Sequence, residues 1–436
     1  MSLRRELGTF DAAMVVVGGI IGAGIFINPA IVAQRLPTAG LVLAAWVVGG
    51  AIALAGALVF AELAAAMPQA GGQYAYLREA YHPIVGFLFG WASLLLIQGG
   101  GIAAVAITFA QYALRFVGKE GASPAPLAIA AVAVLAAVNV LGVKPGSRLL
   151  NALVGLKILA LATLVVGGLA LAPHTPGSTA APILPAAGLL AFGGALVPIL
   201  FSYGGWQSAN LVAEETRDPR RTLPRALVAG TVLVILVYVA VNFVYLRALG
   251  REGLAATSTP AAEAVRRLFG SGADRFVAAA IAISTFGFLD LSFLAPTRIS
   301  YAMARDGLFP SPIARLHPRF QTPAWAIALQ AVWSCLLVAL GNYGGLVDSV
   351  VFADWIFFGL AAASIFILRA RDGVPPGRFA TPGYPVVPIL FVAAAVLAVV
   401  SAIRSSPGRS AVGAGLLATG VPVYLFFTRP RSRRAP

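Results

Sequence analysis

Apolar runs of about 20 residues, the length of helix that crosses a roughly 30 Å hydrocarbon layer, recur from one end of the chain to the other. In lipid each backbone N–H and C=O must be satisfied within its own segment, so such runs fold as helices. The sequence therefore predicts an all-α, polytopic membrane protein. With 59% hydrophobic and 11% charged residues among 436, and a mean hydropathy of +0.88, it carries more apolar surface than a soluble domain of this size needs. Twelve spans are expected, at 11–33, 40–66, 84–114, 125–143, 149–172, 187–213, 223–247, 274–303, 323–341, 347–369, 384–403 and 411–428. Pro and Gly clusters at 68–72, 173–185 and 375–388 punctuate the connections. The first nine residues hold Arg4 and Arg5 but no short apolar core with a small-residue cleavage site, so the first span is expected to direct insertion itself.

Residues 15–31, VVVGGIIGAGIFINPAI, are apolar enough for lipid, yet Gly22-Ala23-Gly24 makes a poor continuous helix. Each interior glycine weakens a helix by about 1 kcal/mol relative to alanine. A break at that depth is tolerated where the freed peptide groups line a cavity or bind something polar. Phe201-Ser202-Tyr203-Gly204-Gly205-Trp206 in the sixth span is a second interruption, about 180 residues and five spans later. Two interrupted spans in corresponding positions point to the binding site of an inverted-repeat transporter. An odd number of spans between them inserts the two halves in opposite senses. Half-helix ends carry about half an elementary charge, positive at N-termini and negative at C-termini. That suits a zwitterion, with N–H groups near Gly22–Gly24 for a carboxylate and carbonyls near Phe201–Tyr203 for an ammonium. Close helix packing is the alternative role for these glycines.

Of 31 Lys and Arg, 20 fall in segments on the side of the N-terminus, ten on the other, and Lys157 lies within a span. The positive-inside rule then places both termini in the cytoplasm of a cell (inner) membrane. It also accounts for the net charge of +15 without nucleic acid, since no basic surface interleaved with aromatics occurs. Lys157 costs roughly 2.5–3.5 kcal/mol at this depth unless it faces a partner or polar cavity. It is a candidate fixed cation on the unwound first span, or a titrating lysine whose proton is carried; snorkelling is the alternative. Asp290, with Ser292 two residues on, is a candidate partner for it. Asp354 and Trp355 are candidate pocket residues, and either acid could instead be a neutral carboxyl bonded between helices. Glu62 marks the cytoplasmic edge of the second span. Glu214, Glu215 and Asp218 beside Arg217, Arg220 and Arg221 read as an inner-gate network. Apolar spacing predicts a short amphipathic helix over 260–269 and a surface helix within 305–323.

Cys335, the single cysteine, lies in an apolar run and excludes a disulfide framework. His82, His174 and His317 fall in different loops and form no metal site. No His-Glu-x-x-His, Gly-x-Ser-x-Gly, Walker or Cys-x-x-Cys motif occurs, so neither an enzyme nor a metal or organic cofactor is expected. No repeat supports a symmetric channel.

The stretches GGIIGAGIF (18–26), AEL (61–63), MPQAGGQYAY (67–76), FSYGGW (201–206), EETRDP (214–219), AMARDGLFP (302–310) and His317-Pro318 with Thr322-Pro323 resemble the amino acid–polyamine–organocation superfamily. Within it they resemble the L-type amino acid transporter branch, as a bacterial-type member. The match covers ten spans by motif and the last two by hydropathy. The resemblance implies a five-plus-five inverted-repeat fold of twelve helices, with helices one and six broken, that carries L-amino acids by alternating access. Its parts would be a cytoplasmic N-terminus (1–10), repeats at 11–172 and 187–369, a last helix pair (384–428) and a basic tail (429–436). It also implies that backbone at Ile20, Ile21, Ala23 and Gly24 holds the carboxylate, and backbone at Phe201, Ser202 and Gly204 the ammonium. Phe201 would be the outer gate. Lys157 would stand where other branches bind sodium, linking the fifth helix to the first and eighth. Trp355 would be a pocket tryptophan. Gln98, Gly100, Ser202, Trp206, Asp354 and Trp355 are the expected determinants of selectivity. Gln98-Gly99-Gly100-Gly101 replaces bulkier residues of animal members, and loop 115–126 lacks the cysteine that ties them to a glycoprotein, so no such partner is expected. Neutral L-amino acids in exchange are favoured; proton symport, cationic amino acid or polyamine substrates, and a receptor of this fold remain alternatives.

Overall fold

The computed structural model describes residues 3–119, 121–171, 186–257, 259–270, 272–340, 346–374, 377–405 and 407–428. The basic tail at 429–436 and His174 lie outside the described residues. Within them the regular structure is helical, apart from one isolated bridge between Leu7 and Thr216. The first span is two helices, α1 (Thr9–Ile20) and α2 (Gly24–Arg35), bent by 43° at Ile21–Ala23. Then come α3 (Ala39–Ala66), α4 (Gln73–Ala80), α5 (Pro83–Ala92), a π segment (Ser93–Gln98), α6 (Gly99–Phe116), α7 (Ala125–Val140) and α8 (Val143–Leu171). The second half holds α9 (Ala186–Tyr203), α10 (Ser208–Leu211), α11 (Pro219–Ala256), α12 (Pro260–Phe269), α13 (Ala273–Leu294), α14 (Thr297–Arg305), α15 (Ala324–Leu340), α16 (Leu346–Asp372), α17 (Val386–Ser405) and α18 (Pro407–Thr428). Among the described residues, eight helical stretches are long and apolar enough to cross a membrane. With the bent pair, the shorter apolar helices α7 and α15, and α9, they fall on the twelve expected spans.

Local chemistry explains the helix ends. Prolines open α5, α11, α12 and α18, where a missing N–H costs nothing. Thr38 caps α3 by accepting from Leu41 N–H at 3.3 Å, and the Asp11 carboxylate accepts from Gly8 N–H at 3.0 Å at the head of α1. Pro198 inside α9 leaves the Gly194 carbonyl without its helical donor, and the Arg35 guanidinium of α2 takes it up.

The halves of the broken spans pair crosswise: α2 packs on α9 and α1 on α10, with α3, α8 and α11 around them. A second apolar cluster joins α6, α7, α13 and α15 through Ile102, Ala106, Val132, Leu135, Phe293 and Ile327. Against these, α17 and α18 lie outermost, α18 held by a 3.0 Å bond from Trp91 Nε1 to Thr419 Oγ1. Side chains such as Leu159, Leu236, Val332 and Phe426 stay exposed as a lipid-facing surface.

The helices depart from the sequence expectations in four places. The 260–269 helix is present as α12, but 305–323 forms only a 3₁₀ turn at Ser311–Ala314; Pro310, Pro312 and Pro318 remove the donors a helix would need. The sixth span ends at Leu211 rather than 213. The third is interrupted by the π segment just before its glycine run. Finally, α4 was not expected; it packs on α5 and α16, where burial and the Asp306 carboxylate raise the pKa of the Tyr74 phenol above its ordinary value. The phenol donates to Asp306 at 2.7 Å.

Candidate functional site

At the first break α1 stops at Ile20, and Ile21 takes φ −74°, ψ 87°. Two of the carbonyls at the break are taken up by side chains of neighbouring helices. Tyr238 OH of α11 donates to Ile20 O at 2.9 Å, and Lys157 Nζ of α8 donates to Ile21 O at 2.9 Å. The N–H groups of Ala23, Gly24 and Ile25 at the head of α2 make no backbone hydrogen bond among the described residues. The break thus presents donors with no acceptor and a positive helix end, an arrangement that receives a carboxylate.

At the second break α9 ends at Tyr203 and a turn leads into α10. Gly204 N–H returns to Phe201 O at 3.2 Å, Gly205 N–H is held by Gln207 Oε1 at 2.9 Å, and the Ser202 carbonyl accepts no backbone hydrogen bond among the described residues. The helix therefore offers its negative end, with a carbonyl to spare, to an ammonium group.

Glycine brings the two breaks together. A Cβ on Gly19 or on Gly205 would overlap the other's carbonyl, and Gly205 also has φ +113°. A Cβ on Gly24 would lie 2.7 Å from Ser202 Oγ and 3.0 Å from its Cα. The donors of α2 and the carbonyl end of α9 are therefore neighbours. Gly205→Ala combines a clash against backbone with a disfavoured φ, so we expect no monodisperse protein in detergent size-exclusion chromatography, against a clean peak for the unaltered chain.

Lys157 is 2% exposed and lies across Gly287 of α13, whose Cβ, if present, would sit 3.1 Å from Lys157 Cε. It thus links α8 to α1 by a hydrogen bond and to α13 by packing. Asp290, its expected partner, makes no ion pair with it within 4.0 Å among the described residues. It accepts instead from Asn139 Nδ2 of α7 at 2.7 Å, and its Oδ2 has no partner there. Asp290 still acts on Lys157 electrostatically. Ser292 Oγ donates back to Phe288 O at 2.9 Å within α13.

The remaining candidates separate into two groups. Phe201 is 45% exposed beside the break, and Gln98 closes the π segment directly before Gly99 and Gly100. Trp206 and Trp355 are buried in one aromatic cluster: Trp206 stands 4.8 Å from Phe60 and 5.9 Å from both Phe358 and Phe391, and Trp355 stands 5.5 Å from Phe358. Asp354, on α16, has neither a cation nor a hydrogen-bond donor among the described residues. Three residues at the breaks were not singled out from the sequence: Tyr238, Asn28 and Phe288, the last 3.9 Å from a Cβ on Gly22. Asn28 and Tyr238 carried a usable signal, each a polar group inside an otherwise apolar run; Phe288 carried none.

On the face of the N-terminal segment the protein is shut. Glu6 and Leu7 N–H donate to Glu215 O at 2.9 and 3.0 Å, and Arg217 N–H to Leu7 O at 2.8 Å, stitching the chain ahead of α1 to the chain after α10. Asp11 accepts from Lys144 at 2.8 Å and Asn151 at 2.7 Å of α8. The expected network within 214–221 is replaced by longer-range pairs. Glu215 meets the fully buried Arg298 at 2.9 Å, Glu214 meets Arg305 at 3.0 Å, and Glu62 meets Arg369 at 2.6 Å; Asp218 and Arg221 pair inside the loop, at 3.9 Å. The backbone of 213–218 turns the acids away from their sequence neighbours and toward α14. On the opposite face a cavity of about 30 Å³ lies between Ala23, Phe26, Thr108, Tyr112, Ala261 and Val277. It has room for water but not for an amino acid. No group of three His, Cys, Asp or Glu able to hold a metal occurs among the described residues.

The model of the family described as amino acid permease matches residues 7–427. The large neutral amino acids transporter small subunit 2 of Homo sapiens is 31% identical over 97% of this chain and 80% of its own length. The serine/threonine exchanger SteT of Bacillus subtilis (strain 168) is 30% identical over 97% of this chain and 96% of its own. The Asc-type amino acid transporter 1 of Mus musculus is 30% identical, covering 99% and 83%. A multi-pass helical protein with its two broken spans sealed against each other, and matched from end to end in this way, belongs to the amino acid permease family.

Proposed function

We propose that the protein is a secondary transporter that exchanges L-amino acids, neutral ones foremost, across the cell membrane by alternating access. The observation that carries this is the juxtaposition of unbonded N–H groups at Ala23–Ile25 with the free carbonyl end of α9 at Ser202. One end suits the carboxylate and the other the ammonium of the same molecule. Repeats at 11–172 and 187–369 supply one broken helix each. The relatives named as exchangers or neutral amino acid transporters support the substrate class. Lys157, already bonded to Ile21 O, serves as the fixed cation that holds the first break open. Exchange follows from a cycle in which both faces close around bound substrate. With both termini cytoplasmic, the ion pairs around Arg298 and Arg369 form the inner gate, and Phe201 and α12 stand on the outer side.

The single cysteine, Cys335, lies in α15, and loop 115–126 has none, so the proposal is a carrier without a disulfide-linked partner. Asp354 favours a second reading, because an acid in the bundle with no partner among the described residues can receive a cationic side chain or a polyamine. A proteoliposome screen of labelled amino acids, each tested with and without unlabelled amino acid inside, separates the readings. Saturable uptake of neutral amino acids that needs internal amino acid and ignores a pH gradient supports the proposal. Uptake driven by the pH gradient points to symport, uptake of cationic compounds alone to the second reading, binding without uptake to a receptor, and no saturable uptake contradicts transport of amino acids.

A further inference from the structure

We propose that Asn28 is a positioning residue for substrate binding: its amide fixes the carbonyl end of α9 against the donor end of α2, setting the distance between the two charged ends of the site. The inference rests on the transport reading above and names a residue that reading does not use.

Asn28 stands one turn beyond Gly24 on α2 and is 8% exposed. Its Nδ2 carries two hydrogens, and both are used across the interface. One goes to Pro198 O at 2.9 Å and the other to Ser202 Oγ at 2.7 Å. Ser202 Oγ in turn donates to Pro198 O at 2.8 Å. The three groups close a small ring whose members lie on both half-helices, at the turn of α9 whose last residues present the Ser202 carbonyl. A side chain can make this ring only if it offers two donors from one nitrogen at this length, which an amide does and a hydroxyl or carboxylate does not. Gly24 permits it, since any side chain there would press on Ser202.

The same two half-helices are also joined by Arg35, which bonds the Gly194 carbonyl two turns away from Ser202. That contact ties α2 to α9 without touching the break, so it serves as an internal control. If Asn28 only fastened the helices together, losing either contact would have the same consequence. If Asn28 sets the site, only its loss changes how well substrate binds.

The test is labelled amino acid exchange in proteoliposomes containing the full chain, using a substrate that the unaltered protein exchanges. Asn28→Asp keeps the shape but removes both donors and sets an acceptor against Pro198 O. The half-saturating substrate concentration should rise about tenfold, the loss expected for a buried hydrogen bond, with the maximal rate reduced less. Arg35→Ala should leave the half-saturating concentration unchanged. Asn28→Gln, which restores the two donors on a longer stem, should recover part of the affinity. In a Ser202→Ala background Asn28→Asp should add less than it does alone. Where Asn28→Asp does not insert as folded protein, Asn28→Ser, with one donor, carries the same comparison. An unchanged half-saturating concentration in the Asn28 variants, or an equal shift in Arg35→Ala, overturns the inference while leaving transport standing. Absence of exchange by the unaltered chain overturns the transport reading and this inference with it.

Discussion

Lys157→Met should fold and exchange at a tenth of the normal rate or less. The substitution keeps the apolar stem that lies across Gly287 and removes only the ammonium bonded to Ile21 O. Buried hydrogen bonds from charged groups contribute about 1.5–3 kcal/mol, so the exchange rate should drop between about tenfold and a hundredfold. The loss falls on the first break, because the Ile21 carbonyl, outside any helix, then has no donor and the backbone of 21–23 can rewind. Lys157→Ala should do at least as much harm, with a cavity in addition. The check is exchange in proteoliposomes containing equal amounts of protein, with a monodisperse elution profile as evidence of folding. Full activity in Lys157→Met would remove the lysine from the mechanism.

Breaking the Glu215–Arg298 pair should cost the most stability. Both partners are essentially without solvent exposure and bond through two contacts of 2.9 Å. Removing one partner from a buried pair leaves an uncompensated charge and costs about 3–5 kcal/mol. Arg298→Met should therefore lower the thermal denaturation midpoint in detergent by many degrees, or prevent recovery of folded protein. The double replacement of Arg298 and Glu215 by Met should recover much of that loss, because it removes both charges. The same double variant should weaken closure of the face that carries the N-terminal segment, where Glu215 O also receives the N–H groups of Glu6 and Leu7. A denaturation midpoint in Arg298→Met equal to that of the unaltered chain would contradict this.

The helical content, the twelve spans and both breaks are legible in the sequence, since length of apolar run and glycine placement act locally. The amphipathic helix at Pro260–Phe269 is legible for the same reason. Most of what the sequence does not tell depends on contacts between distant segments. The acids at 214 and 215 have arginines a few residues away, yet the turn there sends them to Arg305 and Arg298. Nothing in the spacing tells which arginine a buried glutamate will reach. Asp290 and Lys157 were natural partners by charge alone. The fold instead gives Lys157 a backbone carbonyl from a helix that has come apart and gives Asp290 the Asn139 amide. The surface helix expected at 305–323 had the right apolar spacing, but its prolines carried the stronger signal. Trp206 stands two residues after Gly204 in the chain, yet its ring packs with Phe60 and Phe391; chain proximity to a break does not say which way a side chain turns.

The central claim is that peptide groups of two unwound helices hold both charged ends of one amino acid. Competition for exchange tests it directly, using a transported L-amino acid, its methyl ester and its N-acetyl derivative as external inhibitors of labelled uptake. The ester lacks the carboxylate that the N–H groups of Ala23–Ile25 would receive, and the acetylated compound lacks the ammonium that the Ser202 carbonyl would receive. The account predicts strong inhibition by the parent amino acid and at most a few per cent of that potency from either derivative, the loss expected for leaving one buried charged partner unmet. Inhibition by either derivative as strong as that of the parent would contradict it.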